Sequence, residues 1–426
     1  MTLLIFLSAL LGALAVGVPI AFALLLCGIA LMYQMDMFDT QIIAQNVVTG
    51  ADNFVLLAVP FFILAGELMN SGGISRRIIN LAMALFGHIH GGLGYVAIFS
   101  ALILASLSGS AIADAAALAA LLIPMMRDAG FNVNRSSGLI AAGGVIAPVL
   151  PPSIGYIVFG VVGGVSITKL FLAGIVPGVL MAAGLVLTWR WSLRHEKTAV
   201  LERKSWPEIR DQLFKSFWAL LMPVIIILGL RFGLFTPTEA GVVVAVYAAL
   251  IGFFIYRELT LMKFLRSCLA AAKMTAVIMF LVAAALVSSW LITITDLPDQ
   301  VSSLTQPLID SPILLMLVIM VLVAVLGSVL DFIPTILILT PVLMPVVLEA
   351  GIDPIYFGVI FILNNSLGLL TPPVGTVLNV VCGVARISMD DIMKGVWPFL
   401  ASQFVVLILL TVFPQIILFP LKLMMP

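Results

Sequence analysis

One apolar tract constrains this chain more than any other stretch. It runs 35 residues, from Gly92 to Met126. A tract of that length is too long for one crossing of a hydrocarbon core about 30 Å thick and too short for two comfortable ones. Small polar residues interrupt its midpoint, Ser106-Leu-Ser-Gly-Ser-Ala-Ile-Ala-Asp114. Gly109 can bend there at no steric cost. The pattern predicts a helix that enters a membrane, turns at Ser108–Ser110 and leaves by the side it entered. Broken backbone at membrane depth survives only where it lines a protein or water cavity. A Ser/Gly seam between two packed helices is the plainer alternative.

A second copy favours the turn. Adding 221 carries Pro124 onto Pro345, Gly130 onto Gly351, Pro151-Pro152 onto Pro372-Pro373, Gly174 onto Gly395 and Pro177 onto Pro398. The register holds without a gap from about residue 110 to 178, and it sets Ser110 on Asp331 and Asp114 on Thr335. The second tract, Ile313–Leu348, again has a polar midpoint, Gly327-Ser-Val-Leu-Asp331-Phe-Ile-Pro-Thr335. Interruptions at matching positions in two hydrophobic halves point to a transporter binding site.

Of 426 residues, 63% are hydrophobic and 9% charged, which no soluble core needs and which makes the chain a polytopic membrane protein. Formal charge is zero, so no bulk attraction to nucleic acid follows. Cys27, Cys268 and Cys382 lie in apolar segments and read as small buried hydrophobes, and the three histidines as interface residues rather than metal ligands. Met1–Val16 has the look of a signal peptide but lacks a basic start and runs on to Tyr33, so it reads as mature structure.

Read in order, the chain gives an all-α fold of two inverted repeats, each with five spans and one re-entrant hairpin. The first repeat, 1–215, has spans Thr2–Val16, Pro19–Tyr33 and Phe54–Met69, a surface arm helix over 72–90 and the hairpin 92–126. A broken span follows over 136–164, then the span Leu170–Trp191. On the arm, Ile74, Ile78, Leu81 and Leu85 share one face. The broken span is interrupted by Gly143-Gly144-Val-Ile-Ala-Pro148-Val-Leu-Pro151-Pro152-Ser153, whose prolines exclude regular helix. The second repeat, 216–426, has spans Phe217–Leu234, Thr236–Tyr256 and Ala270–Ile292, an arm over 297–309 and the hairpin 312–348. Its broken span covers 357–384, around Asn364-Asn365 and Thr371-Pro-Pro-Val-Gly375-Thr376, and its last span is Val396–Leu418. The stretch 34–53 reads as an acidic connection. Trp189, Trp191, Trp206, Trp218 and Trp397 sit near span ends, where interface aromatics concentrate.

The basic loop 190–215 belongs in the cytoplasm. Counting from it puts both termini in the periplasm, and of 20 Lys and Arg only Lys169, Arg231 and Lys422 fall outside. The count is the same if the hairpin tracts cross fully, so charge supports the spans without proving re-entry. It places the first hairpin's opening on the cytoplasmic side and the second's outside.

A broken helix points its carbonyl end at a cation and its amide end at an anion. Ser106, Ser108 and Ser110 offer hydroxyls at one interruption, with carbonyls from Gly143–Pro151. Ser328, Asp331, Asn364, Asn365 and Thr371 do so at the other. Hard oxygen donors suit Na⁺ better than a soft metal. Asp114 and Asp331 are the intramembrane acids nearest the pseudo-two-fold axis, functional candidates or else structural caps. Glu67, Lys273 and Glu239 lie in or beside spans as buried pairs or snorkelling side chains. Ser108-Gly-Ser110 and Asp114 have no histidine or lysine within sequence reach, which argues against a serine hydrolase and against an enzyme.

Four stretches carry a resemblance over essentially the whole chain: Ala105–Asp114, Ala147-Pro-Val-Leu-Pro-Pro-Ser153, Gly233-Leu-Phe-Thr-Pro-Thr-Glu-Ala240 and Leu370-Thr-Pro-Pro-Val-Gly375. With them the chain resembles the large membrane subunit of tripartite ATP-independent periplasmic (TRAP) transporters. The resemblance implies Na⁺-driven uptake of a carboxylate by an elevator movement of a transport domain against a scaffold, in the bacterial inner membrane. It implies two partners, a soluble periplasmic substrate-binding protein and a separate small four-helix membrane subunit, and no cofactor beyond Na⁺ as coupling ion. It puts one sodium site at Ser106, Ser108, Gly109 and Ser110 with Gly143, Gly144, Pro148 and Pro151. It puts the other at Gly327, Ser328 and Asp331 with Asn364, Asn365, Gly368 and Thr371. Asp114, Ser153, Thr335, Gly375, Thr376 and Asn379 are the expected substrate residues. The expected cargo is a sugar acid such as sialic acid, or a C4-dicarboxylate. A single-chain Na⁺/dicarboxylate symporter that needs no partner is the alternative.

Overall fold

The computed structural model describes residues 2–194, 201–295 and 306–425. The described residues are almost wholly helical. Helices α1 (Thr2–Ala15) and α2 (Ile20–Gln34) flank Gly17-Val-Pro19, as expected. The stretch 34–53 is not a plain connection, because it contains α3 (Thr40–Ala51), capped by Asp39, whose side chain accepts from the Gln41 amide. Asn53 then caps a 3-10 turn leading into α4 (Ala58–Ser71). The arm is α5 (Ile74–Phe86). Ile74, Ile78 and Leu81 are buried on its expected face and Leu85 is half-buried. Arg77 ties it to the second half through Glu258 (2.7 Å) and the Tyr256 ring.

The first tract folds as α6 (Gly92–Ser108) and α7 (Ala111–Asp128), with the turn at Gly109-Ser110. The broken span is α8 (Val133–Gly144) and α9 (Ile154–Gly163), and α10 (Ile167–Ser192) follows. The basic loop is partly helical, since α11 (Trp206–Arg231) begins inside it and carries Arg210 and Lys215. Next come α12 (Pro237–Leu250), ending in one π-turn, and α13 (Leu261–Ile294). The sequence placed the start of the third span at Ala270, but α13 is continuous because no Gly or Pro interrupts it. The expected arm over 297–309 falls largely on residues 296–305, outside the described residues. The second tract folds as α14 (Pro312–Val329) and α15 (Phe332–Glu349), and the second broken span as α16 (Pro354–Gly368) and α17 (Thr376–Ala385). The last span ends earlier than expected. Helix α18 (Met389–Val412) stops before Pro414, and a separate α19 (Gln415–Met424) follows.

Among the described residues, eight helices are long and apolar enough to cross a membrane, and the halves of the broken spans are shorter. The 221-residue register is now physical. Helices α7 and α15 start and stop at equivalent residues. Each ends in the same hydrogen-bonded wrap, Phe131 N to Met126 O and Ile352 N to Val347 O, through left-handed Gly130 and Gly351. The prolyl bonds Pro151-Pro152 and Pro372-Pro373 are both cis.

Packing is reciprocal. Helix α4 lies on α12 while α13 lies on α2, and α7 lies on α17 while α15 lies on α9. Helix α8 lies on α18 while α16 lies on α10. Such exchanged pairs are what a pseudo-two-fold axis between two inverted repeats produces. Two clusters result: α2, α4, α12 and α13 form one, and the hairpins with the broken spans form the other.

Two sequence readings change here. Trp189 is buried, not interfacial. Its indole donates to Gly91 O (2.9 Å), and Gly94 leaves room for the ring, whereas Trp191, Trp206, Trp218 and Trp397 are exposed. Glu239 caps α12 in a reciprocal box, accepting from Thr236 N (2.7 Å) while Thr236 Oγ1 accepts from Glu239 N (3.3 Å). The cysteines are free thiols, with Cys27 buried and the other two half-buried.

Candidate functional site

The interruptions meet. Ser110 and Asp331 are the N-caps of α7 and α15, one at each hairpin tip, and both tips line a single cavity of about 670 Å³. Hairpins from opposite faces share a cavity when each turns back before the far surface. Pro148 and Ile154 of the first broken span and Leu369 of the second complete this side. The opposite wall is Pro19–Phe22 at the start of α2 and residues between Met274 and Leu281 on α13. The volume lies within the range of small-molecule sites.

First-turn residues of four helices face this space: Ile20 of α2, Ala111 of α7, Ile154 of α9 and Phe332 of α15. Helix N-termini carry unsatisfied amides and the positive end of the macrodipole. Asp331 is the one charged side chain among the lining residues. Among the described residues, the cavity therefore offers an anion dipoles but no Lys or Arg. Helices α6 and α14 end at the tips, at Ser108 and Val329, and present carbonyl ends there.

At the first tip, left-handed Gly109 packs on the broken span, and a Cβ there would lie 2.4 Å from Pro152 O. Ser108 Oγ donates to Asp114 Oδ1 (2.6 Å) and accepts from Ser110 N (3.2 Å), while Ser110 Oγ accepts from Ala113 N (3.4 Å). Ser106 is turned inward, donating to Ile103 O. The break carbonyls are not all free, as the sequence suggested. Gly143 O and Gly144 O accept from Ile146 N and Ala147 N, and Pro148 O accepts from Ser153 Oγ. Each keeps a second lone pair. Pro151 lies in the cis turn, buried.

At the second tip, the carbonyl ends of α14 and α16 touch. A Cβ on Gly368 would lie 2.4 Å from Gly327 O, and Gly327 faces Asn365 Oδ1. Asn365 Nδ2 donates to Phe332 O (2.7 Å), Val374 N donates to Ser328 O (3.2 Å), and Asn364 Nδ2 donates to Met320 O (2.7 Å). The buried Oδ1 atoms of Asn364 and Asn365 accept no hydrogen bond. Thr371 Oγ1 donates to Leu367 O. The Asp331 side chain is exposed to the cavity and makes no capping bond.

The structure thus gathers the expected sodium residues into two groups, one per tip. The expected substrate residues lie beside the cavity and not on its lining. Ser153 and Thr335 are buried cap and first-turn hydroxyls, Gly375 is left-handed at the start of α17, and Asn379 donates to Val374 O. Thr376 sits next to Gly375 with its Oγ1 buried and unpartnered, and Asp114 lines a second, smaller cavity. The lining from α2 and α13 escaped the sequence reading. Phe22 and Val277 are ordinary apolar helix residues, and only tertiary packing selects them.

Two crossed hairpins, two broken spans and a cavity between them are the architecture of a membrane transporter. A family model for the tripartite ATP-independent periplasmic transporter, DctM component, matches residues 7–416, and the chain belongs to that family. It is 57% identical over 422 residues to the 2,3-diketo-L-gulonate TRAP transporter large permease protein YiaN of Escherichia coli, covering 99% of each chain. It is 40% identical to the sialic acid TRAP transporter large permease protein SiaM of Vibrio cholerae, covering 95% of each. The sialic acid TRAP transporter permease protein SiaT of Haemophilus influenzae is 39% identical, over 96% of this chain and 67% of that one. The crystal structure of the Alcanivorax borkumensis YdaH transporter superposes with a TM-score of 0.66 over 88% of this chain and 87% of that one, at 17% identity, a likeness of fold.

Proposed function

We propose that this permease takes up a keto sugar acid across the bacterial inner membrane, coupled to inward Na⁺. One observation carries the proposal: the cavity between the tips presents helix N-termini to an anion, yet its one formal charge is the negative Asp331. A carboxylate held there needs cations beside it, and the two tips supply oxygen donors for them. Site one is Ser106–Ser110 with Gly143–Pro151, and site two is Gly327–Asp331 with Asn364–Thr371. Each inward Na⁺ gains about 2.3 kcal/mol per 100 mV, so two ions more than offset one anionic charge moving with them.

The keto sugar acid is favoured by the 57% relative named for 2,3-diketo-L-gulonate and the 40% relative named for sialic acid. A periplasmic binding protein delivers it and a small membrane subunit braces the scaffold, as the word tripartite in the family's description supports. The α2, α4, α12 and α13 cluster is the scaffold, and the hairpins with the broken spans move past it as the elevator.

The test is uptake of labelled 2,3-diketo-L-gulonate and sialic acid into proteoliposomes holding both membrane subunits. Accumulation should require the binding protein and an inward Na⁺ gradient. Equal uptake in sodium-free buffer would remove the coupling, and uptake without the binding protein would favour a single-chain symporter.

A further inference from the structure

A second cavity, of about 170 Å³, lies behind the first hairpin tip, between that hairpin and α4. It adjoins the main cavity, sharing Ser110, Ile112, Ile154 and Met274 with it. Its polar lining comes from separate elements: Glu67 and Asn70 on α4, Ser75 on α5, Ser108 and Ser110 at the tip, and Asp114 on α7. No Lys, Arg or His lies among the described residues that line it.

Asp114 is 5% exposed; Oδ1 accepts from Ser108 Oγ, and Oδ2 is buried and accepts from nothing. Glu67 is half-buried, and neither carboxylate takes part in an ion pair among the described residues. Two acids without a counter-charge among membrane-spanning helices are costly, and such residues pair or bind ions. The donors here are all oxygens, which select a hard cation. Glu67 and Asp114 are the cavity's carboxylates, with the hydroxyls of Ser75, Ser108 and Ser110 as neutral oxygens, and the choice of Na⁺ over a divalent ion follows from the sodium coupling proposed above.

We propose that Glu67 and Asp114 hold a third Na⁺ in this second cavity, behind the first tip and adjoining the site proposed there. The proposal rests on the sodium coupling put forward above. An ion here would join α4, on the scaffold side, to the first hairpin, so that occupancy favours the conformation in which the two are in contact.

The test counts bound ions on the full-length chain in lipid nanodiscs, with radioactive sodium, for wild type, Glu67→Gln and Asp114→Asn. Both variants should bind one sodium ion fewer per chain than wild type and retain the others. Asp114 is buried, so Asp114→Asn is counted only if it elutes as a single species; Glu67→Gln, on a half-exposed position, decides the matter without it. An unchanged sodium count in Glu67→Gln overturns the third site alone. Saturable radioactive calcium binding that Glu67→Gln abolishes overturns the assignment to sodium. A wild-type chain that binds no sodium overturns this site and the coupling together.

Discussion

The first hairpin turns through Gly109-Ser110 and the second through Leu330-Asp331, at matched positions, yet the two tips are secured by different means. Tip one is stitched to itself, Ser108 to Asp114 and Ser110 to Ala113, and meets its broken span by backbone contact at Pro152. Tip two is stitched to its broken span, Phe332 O to Asn365 and Ser328 O to Val374 N. Where the second repeat has Gly327 and Gly368, the first has Ser106 and Ala147 at the equivalent places. Two glycines let the carbonyl ends of α14 and α16 touch; Ser106 and Ala147 carry side chains at the corresponding places. The same turn therefore serves a self-braced tip in one half and a tip locked to its neighbour in the other.

The largest expected effect breaks that contact. Gly368→Ala installs the first repeat's residue, with its Cβ 2.4 Å from Gly327 O. Backbone lies on both sides, so the tip must move, at about 1–3 kcal/mol or more. Sodium-driven uptake should fall to background while the protein stays monodisperse. Wild-type uptake from Gly368→Ala would show that the close approach does not matter.

Next come the acids and hydroxyls. Asp331→Ala removes the one charge on the main cavity, and Ser108→Ala leaves Asp114 without its donor. Losing a contact to a charged group costs about 1.5–3 kcal/mol, so uptake should drop by roughly 10- to 100-fold in each. Asp331→Ser, which copies tip one, should restore protein yield but not sodium dependence. Full transport by Asp331→Ser would mean the two tips are interchangeable.

A crossed pair sharpens the contrast in stability. Gly109 sits at φ +62°, and alanine there meets a left-handed penalty of about 1–2 kcal/mol in addition to the clash with Pro152 O. Leu330 is extended, φ −94° and ψ 156°, so Leu330→Gly should cost under about 1 kcal/mol. Thermal unfolding in nanodiscs reads both. Equal losses would mean the tips are not held differently.

How much of this was legible follows from where the signals arise. The turns, the broken spans and the register were visible because most depend on a residue with a special backbone requirement: Gly109 in the first turn, and Pro151-Pro152 and Gly130 with their copies Pro372-Pro373 and Gly351. The facing wall was not, because Val277 and Phe280 look like any lipid-facing residue until α13 is packed against the tips. Helix α3 was missed because its acidic flanks read as a loop. One of those acids, Asp39, in fact caps α3, and Asn53, next to Asp52, caps the 3-10 turn after it. The unbroken α13 was missed by analogy with the broken first half. The expected substrate residues cluster at the interruptions, yet the lining is set by the first turns of helices and by the apolar side chains of α13.

The smallest effect is expected at the one cap the tips share. Ser110 and Asp331 both begin a helix, but only Ser110 bonds into its helix, at 3.4 Å, a long contact. Ser110→Ala should therefore cost near the lower end of the usual cap range, about 0.5 kcal/mol. Its hydroxyl also lines both cavities, so any larger loss must come from an ion rather than from the helix. Measuring the half-saturating Na⁺ concentration beside the unfolding temperature separates the two. A shift in sodium dependence with little change in stability assigns the hydroxyl to coordination. Equal, small shifts in both would reduce it to a cap, and the proposed first-tip site would then have to do without the Ser110 hydroxyl.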